Sequence, residues 1–161
     1  MVRVGCGHVV AEGRPAPDFE LKTDTGDTVR LADLRGKQVV LYFYPRDDTP
    51  GCTKQACGIR DAWDAFRETG AEVFGVSPDG EESHAKFKQK HGLPFTLLAD
   101  PDHEVTERYG FWVQKSFAGK KYMGVERSTV VVDADGTVKN VFRRVKPAEH
   151  AAQVLGALGN S

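Results

Sequence analysis

Cysteine is the residue type in this chain best suited to covalent chemistry, and it occurs three times, as Cys6, Cys52 and Cys57. Cys52 follows the turn-forming run Arg46-Asp-Asp-Thr-Pro-Gly51 and opens a stretch with helical periodicity. The first turn of a helix carries backbone N–H groups without intrahelical partners, and the helix dipole is positive there. Both favour a thiolate over a thiol, and the thiolate is the nucleophile. Cys52 is therefore placed to attack an electrophile. Cys57 lies five residues further along the same expected helix. On an ideal helix that spacing puts the two Cα atoms about 8.6 Å apart, whereas a disulfide needs less than about 7 Å. Either the helix start unwinds and the pair bonds, or the pair never bonds. Helix ends open at low cost, so a cycle of bonding and release is feasible. Three cysteines are too few for a disulfide scaffold, and a close pair in a reducing compartment is more often catalytic or metal-binding than structural.

The elements that must position these thiols are legible as a β-β-β-α-β-α-β-α-β-β-α order. Phe19-Glu-Leu and Thr28-Val-Arg-Leu flank the turn signal Thr25-Gly-Asp and read as an N-terminal hairpin. Residues 38–44 contain the continuous apolar run Val39-Val-Leu-Tyr-Phe-Tyr, a strand buried on both faces, which Pro45 stops. A single helix is expected over residues 52–68, with Ala56, Ile59, Trp63 and Phe66 on one face and Gly70 as its C-cap. A buried strand follows over 72–77. Asp79 and Glu82 have the spacing of a capping box for a helix over 80–90, with Gly92 as its stop. Residues 94–98 read as a core strand and 104–109 as a short helix. Asp135-Gly136 is a hairpin signal between strands at 127–134 and 137–145. A last helix is expected over 147–158, with Pro147 in its first turn. Strands alternating with helices fit an α/β fold, a mixed central sheet flanked by helices. Residues 1–14 read as a weakly patterned tail and 15–161 as one domain.

The composition bounds the function. The chain has 161 residues, 40% of them hydrophobic and 28% charged, which fits one soluble globular domain. A net charge of −1 argues against a nucleic-acid partner or an anionic membrane surface, both of which need a basic excess. No apolar run approaches the roughly 20 residues that span a bilayer. The start of the chain lacks an apolar signal-peptide core, so the expected location is cytoplasmic.

The run Pro45-Arg-Asp-Asp-Thr49-Pro-Gly-Cys52 has the pattern Pro-x3-Thr-x2-Cys after an apolar strand, and so resembles the peroxiredoxin family. The longer stretch from Tyr42 to Pro45, then Thr49-Pro-Gly-Cys-Thr-Lys-Gln-Ala-Cys57-Gly-Ile-Arg-Asp61, is similar to the bacterioferritin-comigratory-protein, or Q-type, subgroup. Ala16-Pro-Asp-Phe, Lys115-Ser-Phe-Ala-Gly-Lys and Glu126-Arg127-Ser-Thr-Val-Val-Val-Asp133 match as well. The resemblance implies a thioredoxin-like fold with the N-terminal hairpin as an extension. It implies an atypical 2-Cys, thioredoxin-dependent peroxidase acting on hydrogen peroxide and organic hydroperoxides. In such a cycle Cys52 becomes a sulfenic acid, Cys57 resolves it as an intramolecular disulfide, and a thioredoxin-like dithiol reduces that bond. The resemblance assigns Thr49 a hydrogen bond to thiolate and peroxide. It gives Arg127 the role of holding the thiolate and steadying charge on the leaving oxygen, and Pro45 that of shielding the site from water. It implies no metal or organic cofactor and leans towards a monomer. Cys6 falls outside the matched pattern.

Each residue also has a plainer reading. Cys57 could be a core residue, Arg127 a surface ion-pair residue, and Thr49 only a helix cap. Asp47 and Asp48 read as turn residues, and His8, His84, His91, His103 and His150 as solvated. Trp63 reads as core. Phe111 and Trp112 fit equally a core position, the lining of the site or a partner surface. The rival functions are a thiol-disulfide oxidoreductase, which usually carries Cys-x2-Cys at the helix start, and a zinc or redox-sensing module built from Cys6, Cys52, Cys57 and His8. A holdase-like binding protein is a third.

Overall fold

A computed structural model describes residues 10–159 of the chain; Cys6 and His8 lie outside them. Among these residues nine strands and five α-helices follow in the order β1 (Glu20–Thr23), β2 (Thr28–Arg30), β3 (Val39–Phe43), α1 (Pro50–Asp61), α2 (Trp63–Thr69), β4 (Glu72–Ser77), α3 (Glu81–His91), β5 (Thr96–Ala99), α4 (Glu104–Arg108), β6 (Trp112–Phe117), β7 (Lys120–Val125), β8 (Ser128–Val132), β9 (Val138–Phe142) and α5 (His150–Gly159), with a short 3-10 helix at Leu31–Leu34. Seven strands form one mixed sheet in the order β2-β1-β5-β4-β3-β8-β9, and β6 and β7 form a separate hairpin. Strands β3, β4 and β5 run parallel, while β8 runs antiparallel to β3. This is the expected thioredoxin-like arrangement of a mixed sheet and flanking helices.

Strand β3 is buried throughout because the sheet is covered on both faces. Val39, Leu41 and Phe43 pack on one side with Phe74, Val105, Tyr109 and Phe111. Val40 and Tyr42 pack on the other with Cys52, Ala56 and Ile59 of α1, Phe66 of α2, Phe87 of α3 and Val154 of α5. The alternation along one strand thus builds both cores. Gly75 of β4 is required by this packing: a Cβ there would stand 2.8 Å from the ring end of Tyr42 and 2.9 Å from Leu97. Part of the expected tail also packs on the domain. Val10 is buried in the core, Gly13 donates a backbone hydrogen bond to the Val138 carbonyl, and the Arg14 carbonyl accepts one from the Val138 amide.

Four sequence expectations are corrected. The single helix over 52–68 is two helices. The Ala62 amide is shared between the carbonyls of Gly58 and Ile59, which tightens the last turn of α1 before α2 restarts. The capping box at Asp79 does not form: Gly80 is the N-cap of α3 and has no side-chain cap. The last helix begins at His150, because residues 147–149 form a turn closed by a Glu149 amide bond to the Lys146 carbonyl. The hairpin β6–β7 was not expected at all. Its turn residues, Ala118 and Gly119, both have positive φ, at 51° and 82°.

Two histidines read as solvated, His84 and His150, are wholly buried. His150 lies 2.7 Å from the Thr129 hydroxyl through Nε2 and packs on Tyr42. Burial, and secondly the charge of Arg127, push its pKa down to about 3. In the unfolded chain a histidine titrates near 6.5. The unfolded state therefore binds a proton that the folded state refuses as pH falls from about 6.5 towards 3. Stability is lost through that window at about 1.4 kcal/mol per pH unit from this residue. Urea unfolding at pH 7 and pH 5 checks this: His150→Leu should have a shallower fall than the wild type.

Candidate active site

The parallel strands β3, β4 and β5 end on one side of the sheet, and α1 begins there after the loop from Pro45 to Thr49. Cys52 sits in the first turn of α1, two residues after Pro50, and is 1% exposed. Proline tolerates this position because its missing N–H would have no partner there. Thr49 takes the N-cap position but makes no side-chain cap. Its hydroxyl donates instead to the Arg46 carbonyl at 3.0 Å, and the plain helix-cap reading of Thr49 is thereby corrected. With its proton engaged, the Thr49 oxygen has lone pairs free to accept a hydrogen bond.

Arg127 immediately precedes β8, whose Ser128 pairs with Phe43 at the end of β3. That register delivers its side chain to the start of α1. One guanidinium nitrogen, Nη1, donates to Cys52 Sγ at 3.4 Å and to Gln55 Oε1 at 2.7 Å. Arg127 is thus tied to the thiol and a helix amide, against the surface ion-pair reading. Gln55 is wholly buried and lies three residues after Cys52, on the same helix face. It was not singled out from the sequence, where a lone glutamine in a helix carries no signal. Gly51 is a second such residue. A Cβ there would stand 3.0 Å from Arg127 Nη2 and 3.7 Å from Pro147.

Cys57 is half-buried and, like Cys52, a free thiol. Both belong to α1, so they stand at the helical spacing that forbids a bond. The loop that leads to Cys52 borders a cleft of about 500 Å³, lined by Pro45, Arg46, Thr49, Trp112, Lys115 and the β7 residues Tyr122 and Met123, among others. Trp112 lines the cleft and stacks on His103 at 3.9 Å, whereas Phe111 and Phe66 are core. Burial, then the charge of Arg127, lower the pKa of Lys115. The unexpected hairpin therefore supplies one wall of the cleft. Asp47, read as a turn residue, is buried in the loop.

The comparisons agree with this geometry. The model of the AhpC/TSA family matches residues 13–141. The putative peroxiredoxin bcp of Coxiella burnetii is 51% identical over 146 residues, which cover 91% of this chain and 97% of the relative. Peroxiredoxin Bcp of Bacillus subtilis is also 51% identical, with 91% and 93% covered. Among solved structures, Xylella fastidiosa PrxQ superposes with a TM-score of 0.87 at 28% identity, covering 93% of this chain and 96% of that one. The Xanthomonas campestris bacterioferritin comigratory protein gives 0.83 at 35% identity, covering 88% and 90%. A match across four-fifths of the sequence, half-identical relatives and a free thiol at a helix start beside an arginine all agree: the chain belongs to the AhpC/TSA family and is a thiol peroxidase of the Bcp peroxiredoxin kind.

Proposed function

We propose that Cys52 is the attacking thiol of this peroxidase and Cys57 its resolving partner. The observation that carries the reading is the position of Cys52 in the first turn of α1 with Arg127 Nη1 at 3.4 Å. The Cys52 thiolate attacks one oxygen of the hydroperoxide, the O–O bond breaks, and the departing alkoxide or hydroxide takes a proton. Sulfur is oxidised by two electrons to a sulfenic acid, and the peroxide leaves as alcohol or water. Arg127 and the open backbone N–H groups of α1 face charge that grows on the oxygens, the kind of fixed donor usually worth most in catalysis. Thr49 accepts from the hydroperoxide O–H, and Pro45 closes the loop side against water.

The first turns of α1 then unwind, and Cys57 displaces water from the sulfenic acid to form the disulfide. An external dithiol of the thioredoxin kind supplies two electrons by exchange and is itself oxidised. Alkyl peroxide reduction is described for the Xanthomonas campestris protein. Here the apolar side chains of Trp112, Tyr122 and Met123 in the cleft support organic hydroperoxides alongside hydrogen peroxide. Among the described residues no helix is long and apolar enough to cross a membrane. We take the protein as a cytoplasmic monomer of one domain, without a metal or nucleic-acid partner.

Steady-state assay tests the assignment. Wild type turns over with a thioredoxin-type reductant. Cys57→Ser consumes about one peroxide per chain and then stalls under that reductant; unchanged turnover would remove Cys57 from the cycle. A finer check is Gly51→Ala. The added methyl pushes the guanidinium of Arg127 off its position, so kcat/KM for peroxide falls on the order of tenfold while thermal stability changes little.

A further inference from the structure

Asp47 is the loop's second residue after Pro45, and its carboxylate is 4% exposed. It receives hydrogen bonds from the Tyr44 hydroxyl at 2.5 Å and the Ser83 hydroxyl at 2.8 Å, and stands 2.7 Å from His84 Nδ1. His84 Nε2 lies 2.9 Å from the Leu98 carbonyl. A carbonyl only accepts, so that nitrogen carries a hydrogen. The Asp47 amide donates to Asp79 at 2.6 Å, and Asp79 also receives the Ser77 hydroxyl. One residue thus binds the loop to the end of β3, to β4, to α3 and, through His84, to β5. A buried carboxylate persists only when it is fully hydrogen-bonded, and this one is.

The start of α1 has no comparable tie. Thr49 gives it no side-chain cap, and Arg127 is its main polar contact. Disulfide formation must open this helix start, while peroxide attack needs the loop in place. The fixed segment and the opening segment meet between Thr49 and Pro50.

We propose that Asp47 and His84 form a buried tether that positions the loop bearing Pro45 and Thr49 for the peroxide step and confines unwinding to α1. They are positioning residues, and the proposal rests on the assignment of Cys52 and Cys57 given above. Without the tether the loop drifts and the peroxide step slows. The resolving step, which requires an open helix start, does not slow.

Rapid-quench intact mass spectrometry on the full chain separates the two steps: oxygen gain at Cys52 on mixing with hydrogen peroxide, then loss of water as the disulfide forms. Asp47→Ala and His84→Phe should slow the first step ten- to a hundredfold and leave the second unchanged or faster. Asp47→Asn should stay within about threefold of wild type in both. Its amide oxygen still accepts from Tyr44, and its NH2 donates to Nδ1 of His84 in the tautomer that keeps its hydrogen on Nε2. Melting curves identify any variant that has lost its fold. If Asp47→Ala has, His84→Phe, which keeps a ring in the same space, decides. Equal slowing of both steps, a first step within twofold of wild type, or Asp47→Asn as slow as His84→Phe overturns the tether. A wild type that is not oxidised at Cys52 overturns the underlying assignment instead.

Discussion

Cys52→Ser should reduce peroxide consumption to the rate of the uncatalysed reaction, a fall on the order of a millionfold, the low end of enzymatic acceleration. The substitution exchanges sulfur for oxygen in a wholly buried position, so the fold survives. What is lost is the thiol proposed as the nucleophile. A hydroxyl does not ionise at neutral pH, and neither the helix start nor Arg127 supplies enough stabilisation to make it do so. Cys57 does not substitute, because it lies more than a helical turn away from Arg127's partner and is only half-buried. A peroxide assay with thermal melts of both proteins checks this. Residual turnover above about 1% of wild type would place the reactive thiol elsewhere.

Arg127→Ala should lower kcat/KM for peroxide by a factor of about 100 to 1000, the usual loss when one fixed donor to developing charge is removed. One nitrogen of this side chain serves both Cys52 and Gln55. Its removal frees the Gln55 amide oxygen in a buried place and leaves the thiol without its cationic neighbour. Arg127→Lys should recover little. An ammonium carries the charge, but its stem is one atom shorter and its donors are not held in the guanidinium plane, so it does not reach the same two acceptors in the same geometry. Gln55→Leu separates the parts: the charge stays while its anchor goes, and the expected loss is smaller, about tenfold. If Arg127→Lys matched wild type, charge alone would suffice and the geometry would be incidental.

The residues that could be read from the sequence are those whose signal is local. The run from Val39 to Tyr44 announces a strand covered on both faces, and Pro45 ends it. Thr49-Pro-Gly places Cys52 at a helix start without reference to anything distant. What stayed hidden depends on partners far along the chain. His84 and Asp47 meet across 37 positions, and His150 meets Thr129 across 21. A histidine in a polar helix reads as solvated until its acceptors are known. Asp79 looked like a helix cap, but the Asp47 amide and Ser77 occupy it. The hairpin β6–β7 lacks both usual signals. Most of its side chains face solvent, so no apolar alternation marks it, and Ala118 is an unusual residue for a positive-φ turn. The break at Ala62 leaves the apolar periodicity of Ala56, Ile59 and Phe66 intact, so the pattern gave no sign of it.

The central claim is that Cys52 and Cys57 form one redox pair within a chain, and intact mass after one equivalent of hydrogen peroxide tests it most directly. The wild type should lose two hydrogens, mapped by peptide digestion to a Cys52–Cys57 bond, and Cys57→Ser should gain one trappable oxygen on Cys52. An oxygen that persists on Cys52 in the wild type, or no oxidation at Cys52 in either protein, would contradict it.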